Sequence, residues 1–545
     1  MASSQPKIYK SLLPPVPVQR SSIFTFLFEQ TYYEHAPTAP AFIDFKTGQQ
    51  ITREAVKNLS LRLGWGLRNT IQLPGSSPGH PDTHLTRGDI VMFVSPNSLS
   101  WPLALFGCVA AGLKITLAAY SSRPRELSWQ YLDIKPKAIF VARHLVPIVE
   151  QMFSLIGSSP EEARRRIWIM DTLSDVALSE APDANGTISI EDGINGVNGL
   201  HRLVGKKALE KEEMFDGNDA EESVYICYSS GTTGRPKGVE TTHKNIGTVL
   251  LTTETLWKGC ETDQDVYIAM LPAYHMFGLA VLIHYPFMRG KPVVMLNQGF
   301  ESKTFCEAVQ RYRVTTVCLV PPIILELSTH PAVDQYDLSS ITNLTSGAAP
   351  LSIALANKCL DRLATRGAKA ILIQGCGSTE TTCSAQIVAP AESVRKFGSV
   401  GQLVPTMEAR LMVEVESQPG SEGKVYRDAE EGEEGEMWMR GPTVCKGYFN
   451  NPEANASTFT PDGWYKSGDI LRCDEDGYFY IVDRKKEMLK YKGHQIAPAE
   501  LEAILLEHPD VGDVGVIGIK DEYSGDELPR YVCLVVPFSP ELIIL

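Results

Sequence analysis

A chain of 545 residues with 51 basic and 65 acidic side chains has a net charge of -14 and is long enough for two or more domains. That balance argues against a nucleic-acid partner or an anionic membrane surface, which call for basic patches. With 43% hydrophobic and 21% charged residues, the composition is that of an ordinary soluble protein with ample apolar material for a core.

Residues 1–19 carry no apolar signal-peptide region. Strand-like runs follow at 89–94, 137–142, 223–228, 266–271, 315–320 and 369–373, most of them apolar throughout. Such runs suit strands buried on both faces. Helical patterns lie between them at 101–113, 244–258, 303–312 and 352–366. The alternation predicts parallel sheets covered by helices. The run 101–113 is broken by Gly107 and ends at Lys114, too short to span a bilayer. Residues 73–84, dense in Pro, Gly and Ser, and 183–222, rich in Asp, Glu, Gly and Asn, read as surface excursions.

The 11 cysteines occur singly, with no Cys-x-x-Cys pair, which argues against a zinc ribbon or thioredoxin-type site. Cys108, Cys227 and Cys318 sit in apolar runs and read as reduced core thiols. A cytoplasmic setting is expected. The C-terminal Ile-Ile-Leu is not a peroxisomal tripeptide, which leaves the peroxisome as an alternative for a longer form.

The stretch YSSGTTGRPKGVE, residues 228–240, carries the first chemistry. Gly231, Gly234 and Gly238 let backbone approach a ligand closely. Ser229, Ser230, Thr232 and Thr233 add hydroxyls, consecutive loop N–H groups form an anion nest, and Lys237 adds a point charge suited to a polyphosphate. Gly238 follows that lysine, so the Walker pattern is not met. A flexible Ser/Gly linker is the competing reading, but a linker needs neither Pro-Lys-Gly at its end nor a buried strand before it.

Past residue 400 the strands shorten and an acidic tip stands at 428–436, the texture of an antiparallel sheet or small barrel. A basic cluster, DRKKEMLKYKG, starts at Asp483. A helix follows with Pro498 in its first turn and Leu501, Ile504 and Leu505 on one face, then strand-like runs at 514–519 and 531–536. The expected division is 1–483 and 484–545.

These pieces occur in the order seen in a known family. LPAYHMFG (271–278), TSGAAPLS (345–352), QGCGSTE (374–380), GEMWMRGP (435–442), GYFNNPEA (447–454), DGWYKSGDI (462–470) and IVDRKKEMLKYKGHQIAPAELE (481–502) resemble, in order and spacing, the motifs of the adenylate-forming, AMP-binding superfamily. The texture is similar to the branch of 4-coumarate–CoA ligases, acyl-CoA synthetases and luciferase. The resemblance implies a large N-terminal α/β domain of two doubly wound subdomains plus a small β-barrel. A small, incomplete α+β C-terminal domain would follow it. It also implies an ATP-dependent carboxylic acid–CoA ligase that forms an acyl-adenylate, with Mg²⁺ and coenzyme A and an aryl or medium-chain aliphatic acid.

By that resemblance Ser229, Ser230, Gly231, Thr232, Thr233, Gly234 and Lys237 hold the β- and γ-phosphates, Thr379 bonds the α-phosphate and Glu380 carries Mg²⁺. Asp469 accepts the ribose hydroxyls, and Arg484 reaches ribose and phosphate. Ala348, Gly375, Cys376 and Gly377 border adenine, while His275, Phe277, Ala348, Gly375 and Gly377 surround the acyl group. Lys490 and Gln495 serve the thioester-forming step after the small domain rotates about 483–486. Without the motifs, Glu380 reads as a solvated loop residue, Asp469 as a turn residue, His275 as a core histidine and the lysines as a solvated face.

Two departures carry consequences. Cys376 stands where the family has a stacking Tyr, so adenine loses a π-face unless Tyr274 or Tyr465 supplies one. The sequence also does not reach the family's Pro-x-x-x-x-Gly-Lys-type segment. A truncated small domain and weakened adenylation are therefore expected, and three alternatives stand beside the working ligase. These are a pseudo-ligase that only binds nucleotide or acyl-adenylate, a truncated product of a complete ligase, and a luciferase-like oxidation.

Overall fold

The structure, a computed structural model, describes residues 6–30, 33, 35–75, 82–178, 196–229, 236–257, 262–415, 424–491, 494–506, 511–520, 527–535 and 543–544. Two large sheets dominate it. The first has eight strands in the order Gly447–Tyr448, Lys237–Thr242, Ser223–Ser229, Lys114–Ala118, Ile90–Val94, Ala138–Val141, Ile167–Ile169, Asn198–Gly199. From Ser223–Ser229 onward its neighbours are parallel, while the first two pairings are antiparallel.

The second sheet has nine strands. Its centre runs Ile371–Cys376, Asn343–Ser346, Thr316–Leu319, Tyr267–Ala269, Val293–Met295, Pro40–Asp44, all parallel. These strands are buried nearly residue by residue, as unbroken apolar runs require when helices cover both faces. Helix Ser100–Ala110 is buried all round, so the apolar run at 101–113 is an internal helix. Among the described residues no helix is long and apolar enough to cross a membrane. The nine described cysteines are free, and six of them are buried.

Helix Met276–Gly278 continues through a π-helical stretch, Leu279–His284, into Tyr285–Met288. Pro286 lacks the N–H an α-turn needs, and the preceding turn widens so that Tyr285 N–H reaches the Ala280 carbonyl. The wide turn seats His284. Its Nδ1 lies 2.9 Å from the Leu279 carbonyl and its Nε2 2.8 Å from the Tyr225 hydroxyl. That joins the second sheet's helix to a strand of the first. Burial pushes the His284 imidazole down to about 4.

The segment past 400 forms a six-stranded antiparallel sheet, in the order Tyr9–Lys10, Glu408–Val415, Gly435–Arg440, Tyr465–Cys473, Phe479–Arg484, with Val425–Asp428 paired to Glu408–Val415. Where a small barrel is expected, the edge strands do not pair with each other. They meet through side chains, the rings of Tyr9 and Phe479 lying edge to face at 5.6 Å. Arg410 grips Asp428 with two bonds of 2.8 Å beside the acidic tip. Beyond it come a hairpin of Leu489–Tyr491 with His494–Ile496, helix Pro498–Leu506, and a sheet of Val511–Lys520, Glu527–Val535 and Ile543–Ile544.

Candidate functional site

The carboxyl end of strand Ile371–Cys376 and the turn after it bear the densest chemistry. Gly377 has no room for a side chain, because a Cβ there would lie 1.8 Å from the Cys383 carbonyl oxygen. The tight turn that results, Thr379–Thr381, buries Thr379 and Glu380. Thr381 Oγ1 accepts the Ser378 N–H at 2.9 Å and holds the turn shut. Thr382 and Cys383 leave it with φ of 53° and 88°, and Ala348 nearby on the chain's other loop has φ 71°. Side chains other than glycine rarely adopt this region, and such strain gathers where surrounding structure fixes a site.

Glu380 is the centre of a small network. Its Oε1 accepts the Ser229 hydroxyl at 3.1 Å and the Tyr448 hydroxyl at 3.0 Å. Lys237 Nζ lies 4.8 Å from the centroid of the Tyr448 ring. The register explains this contact. Val239 pairs with Tyr448 across antiparallel strands, and Lys237, two residues away, projects on the same face. The Cys445 N–H donates to the Glu380 carbonyl at 2.7 Å, tying the two segments at the backbone as well.

Asp469 and Arg484 face each other in register on neighbouring strands, with Nε to Oδ1 at 3.7 Å. Desolvation, opposed by Arg484, pushes the Asp469 carboxyl up to about 6. Burial, with Asp469 adding its charge, drives the Cys376 thiol up to about 12, so it stays protonated.

Two clefts meet here. The inner one runs from His275 and Phe277 past Gly347, Ala348 and Cys376 to Ile387. A wider cleft holds Lys237, Tyr228, Tyr274 and Asn450. His275, Met276 and Thr379 belong to both. His275 caps helix Met276–Gly278, its Nδ1 accepting the Phe277 N–H at 3.3 Å. It stands exposed at the mouth, where the surrounding walls nonetheless disfavour its charged form and lower its pKa.

The structure thus brings together Ser229, Lys237, His275, Phe277, Ala348, Gly375, Cys376, Gly377, Thr379 and Glu380, with Asp469 and Arg484 on the adjoining sheet. Ser230, Gly231, Thr232, Thr233 and Gly234 lie outside the described residues. Lys490 and Gln495 pair across their hairpin, and their side chains lie outside the described atoms. Of the two rings expected to replace the missing Tyr, Tyr274 lines the wider cleft and packs on Tyr120 at 5.8 Å. Tyr465 is buried, its hydroxyl 3.4 Å from Ser378 Oγ. Sequence reading assigns no role to Tyr448 or Trp257. A Tyr paired opposite the strand that begins at Lys237 is the signal for the first.

The model of the AMP-binding enzyme family matches residues 28–449. Among curated proteins, a probable CoA ligase of Humulus lupulus is 32% identical over 96% of this chain and 86% of its own length. The peroxisomal OPC-8:0-CoA ligase 1 of Arabidopsis thaliana is 30% identical over 95% and 85%. Among solved structures, an anthranilate CoA ligase in complex with anthranoyl-AMP superposes with a TM-score of 0.75 at 21% identity, over 96% of this chain and 89% of that one, a likeness of fold.

Proposed function

The chain belongs to the family of AMP-binding enzymes, and on that premise we propose that it joins a carboxylic acid to the thiol of coenzyme A through an acyl-adenylate, consuming ATP and releasing AMP and pyrophosphate. The observation that carries the reading is that Ser229 and Tyr448 bond Glu380, with Lys237 over the Tyr448 ring, while Lys237 and Thr379 line a cleft that shares His275 and Thr379 with a second one. The Asp469–Arg484 pair stands on the adjoining sheet.

Adenylation brings a carboxylate against a polyphosphate, so the site must hold fixed positive charge and aligned donors where charge develops. Lys237 supplies the charge and the Thr379 hydroxyl a donor to the α-phosphate. Mg²⁺ takes oxygen ligands, one or two from carboxylates and the rest from phosphates and water. The donor set fits that habit. Glu380 is a single buried carboxylate whose hydrogen bonds fall on Oε1, and among the described residues no group of three or more His, Cys, Asp and Glu gathers to hold a metal alone. When bound, Mg²⁺ shares the phosphate charge. Asp469, ionised at neutral pH, accepts the ribose hydroxyls, with Arg484 beside it.

His275, uncharged at the junction of the clefts, separates the acyl chamber from the phosphate side. The inner cleft takes the acid, with Phe277, Ala348, Gly375 and Gly377 around it. Aryl and medium-chain acids both suit its largely apolar walls. We place the division between the large and small domains at 483/484, and Lys490 and Gln495 with the thioester-forming step.

The test offers the full chain ATP, Mg²⁺, coenzyme A and a panel of acids, each beside its preformed acyl-adenylate, and measures AMP and thioester. Thioester from a free acid supports the ligase. Thioester from adenylates alone locates a defect in the first half-reaction. Nucleotide binding without either product favours a pseudo-ligase.

A further inference from the structure

The strand that leads toward residues 230–235 outruns its support. Ser223–Ser229 pairs with Lys114–Ala118 only as far as Cys227, opposite Leu117. Tyr228 and Ser229 continue past that point with a strand neighbour on one side alone, Gly238 and Lys237 of the return strand. The return strand is held along its other edge as well, where the Phe449 N–H donates to the Gly238 carbonyl at 2.7 Å and Val239 pairs with Tyr448. The outgoing limb has no such second strand, and a limb paired on one edge is the easier one to fray.

A side chain takes the strand's place. The Tyr228 hydroxyl donates to Asp133 Oδ2 on helix Pro124–Ile134. Burial and the neighbouring carboxylate push the Tyr228 phenol well up, so it stays a donor at neutral pH. Its ring lies over Gly238, where a Cβ would stand 3.3 Å from Cε2 and Cζ, so one tyrosine touches both limbs. The helix is itself fastened. One turn before Asp133 and on the same face, Gln130 Nε2 donates to Thr116 Oγ1 at 2.9 Å and to the Leu117 carbonyl at 3.2 Å, at the place where the ladder ends. Asp133, Tyr228, Lys237 and Gly238 all line the wider cleft.

We propose that Asp133 is a positioning residue for the phosphate end of the site. Through Tyr228 it braces the outgoing limb against helix Pro124–Ile134, so that Ser229 and Lys237, paired across the hairpin, keep the spacing a polyphosphate needs. A carboxylate in a cleft that receives phosphates is otherwise a liability, since like charges repel. The proposal rests on the reading of Ser229 and Lys237 as the groups that hold the β- and γ-phosphates.

The test compares a non-hydrolysable ATP analogue with AMP, both with Mg²⁺, by calorimetry on the full chain. AMP lacks the two phosphates in question. Asp133→Ala is expected to weaken the analogue roughly tenfold, the scale of a hydrogen bond to a charged group, and to leave AMP within about twofold. Asp133→Asn keeps an acceptor for the phenol and should recover most of the loss. Tyr228→Phe should match Asp133→Ala, and the double variant should be no worse than either, because both remove the same bond. Should Asp133→Ala fold poorly, Tyr228→Phe gives the same readout. Analogue binding that is unchanged or tighter in Asp133→Ala reports charge repulsion and overturns the proposal. Equal losses for analogue and AMP, or losses that add in the double variant, overturn it too. If the wild type binds AMP but not the analogue, the phosphate reading fails and takes the inference with it. If it binds neither, the ligase reading fails first.

Discussion

The Tyr448 hydroxyl donates to Glu380 Oε1 at 3.0 Å while the same ring lies 4.8 Å from Lys237 Nζ. One phenol therefore touches both the carboxylate proposed for Mg²⁺ and the cation proposed for phosphate. Tyr448→Phe keeps the ring and removes the hydroxyl. The Mg²⁺ concentration needed for half-maximal AMP formation should rise about tenfold, as befits a lost hydrogen bond to a charged group. Tyr448→Ala should also weaken ATP binding. A Mg²⁺ titration identical in wild type and Tyr448→Phe would sink this assignment.

Asp469 is held up to about 6, against 3.8 in an unfolded chain, chiefly by desolvation. Between those values the folded state holds a proton that the unfolded state has released. This group therefore lowers stability as pH rises from about 4 to 6, and its full penalty persists above. Asp469→Asn should be more stable than wild type at pH 7.5 by on the order of 1–3 kcal/mol, and the gain should vanish below pH 4. AMP affinity should fall in the same variant. Denaturant midpoints across pH decide the first point, and a variant no more stable at pH 7.5 refutes it.

His243 and His284 are buried and neutral, pushed down to about 3 and about 4 by desolvation. An unfolded histidine protonates below about 6.5, so the unfolded state takes up protons the native state refuses. Their contribution to stability is full above pH 6.5 and is lost on acidification, by up to about 1.4 kcal/mol per pH unit for each. His243 Nδ1 accepts the Ile23 N–H at 3.1 Å, a bond His243→Gln can keep. The variant should lose less stability than wild type between pH 7 and 5, as read from urea unfolding.

Lys485 and Lys486 are adjacent and should respond differently. Lys485 Nζ reaches Glu436 at 2.9 Å, Glu414 at 3.0 Å and the Tyr426 hydroxyl at 3.2 Å, and Glu436 is buried. Lys486 meets only Glu487, at 3.6 Å, among the described ion pairs. Lys485→Met strands a buried carboxylate and should destabilise by about 3 kcal/mol, whereas Lys486→Met should stay within about 0.5 kcal/mol. Thermal unfolding distinguishes them, and equal shifts would contradict the structure.

Much of this was legible in the residues. Unbroken apolar runs marked strands buried on both faces, and the six expected at 89–94 through 369–373 stand within a few residues of Ile90–Val94 through Ile371–Cys376. Glycine and hydroxyl patterns drew attention to Ser229, Lys237 and the turn at Glu380. Tertiary register hid the rest. Tyr9 pairs with Ala409 across most of the chain, and no local pattern announces that. Tyr448 acquires its role only because its strand lies against Val239. Trp257 looks like any helix end, and only the fold shows that its indole N–H has no partner among the described residues. Ala348 and Cys383 adopt backbone angles that their side chains do not advertise.

The Glu380 network joins residues that leave the ribosome far apart in time. Ser229 and Glu380 are synthesised well before Tyr448, whose two-residue strand is the outermost member of the eight-stranded sheet. Until that strand docks, the edge at Lys237–Thr242 stays open and the carboxylate lacks its second donor. Non-local pairings of this kind form slowly. The nucleotide site proposed around Glu380 therefore matures late, and nucleotide binding during synthesis is expected to report the moment the sheet closes rather than the moment its core strands fold.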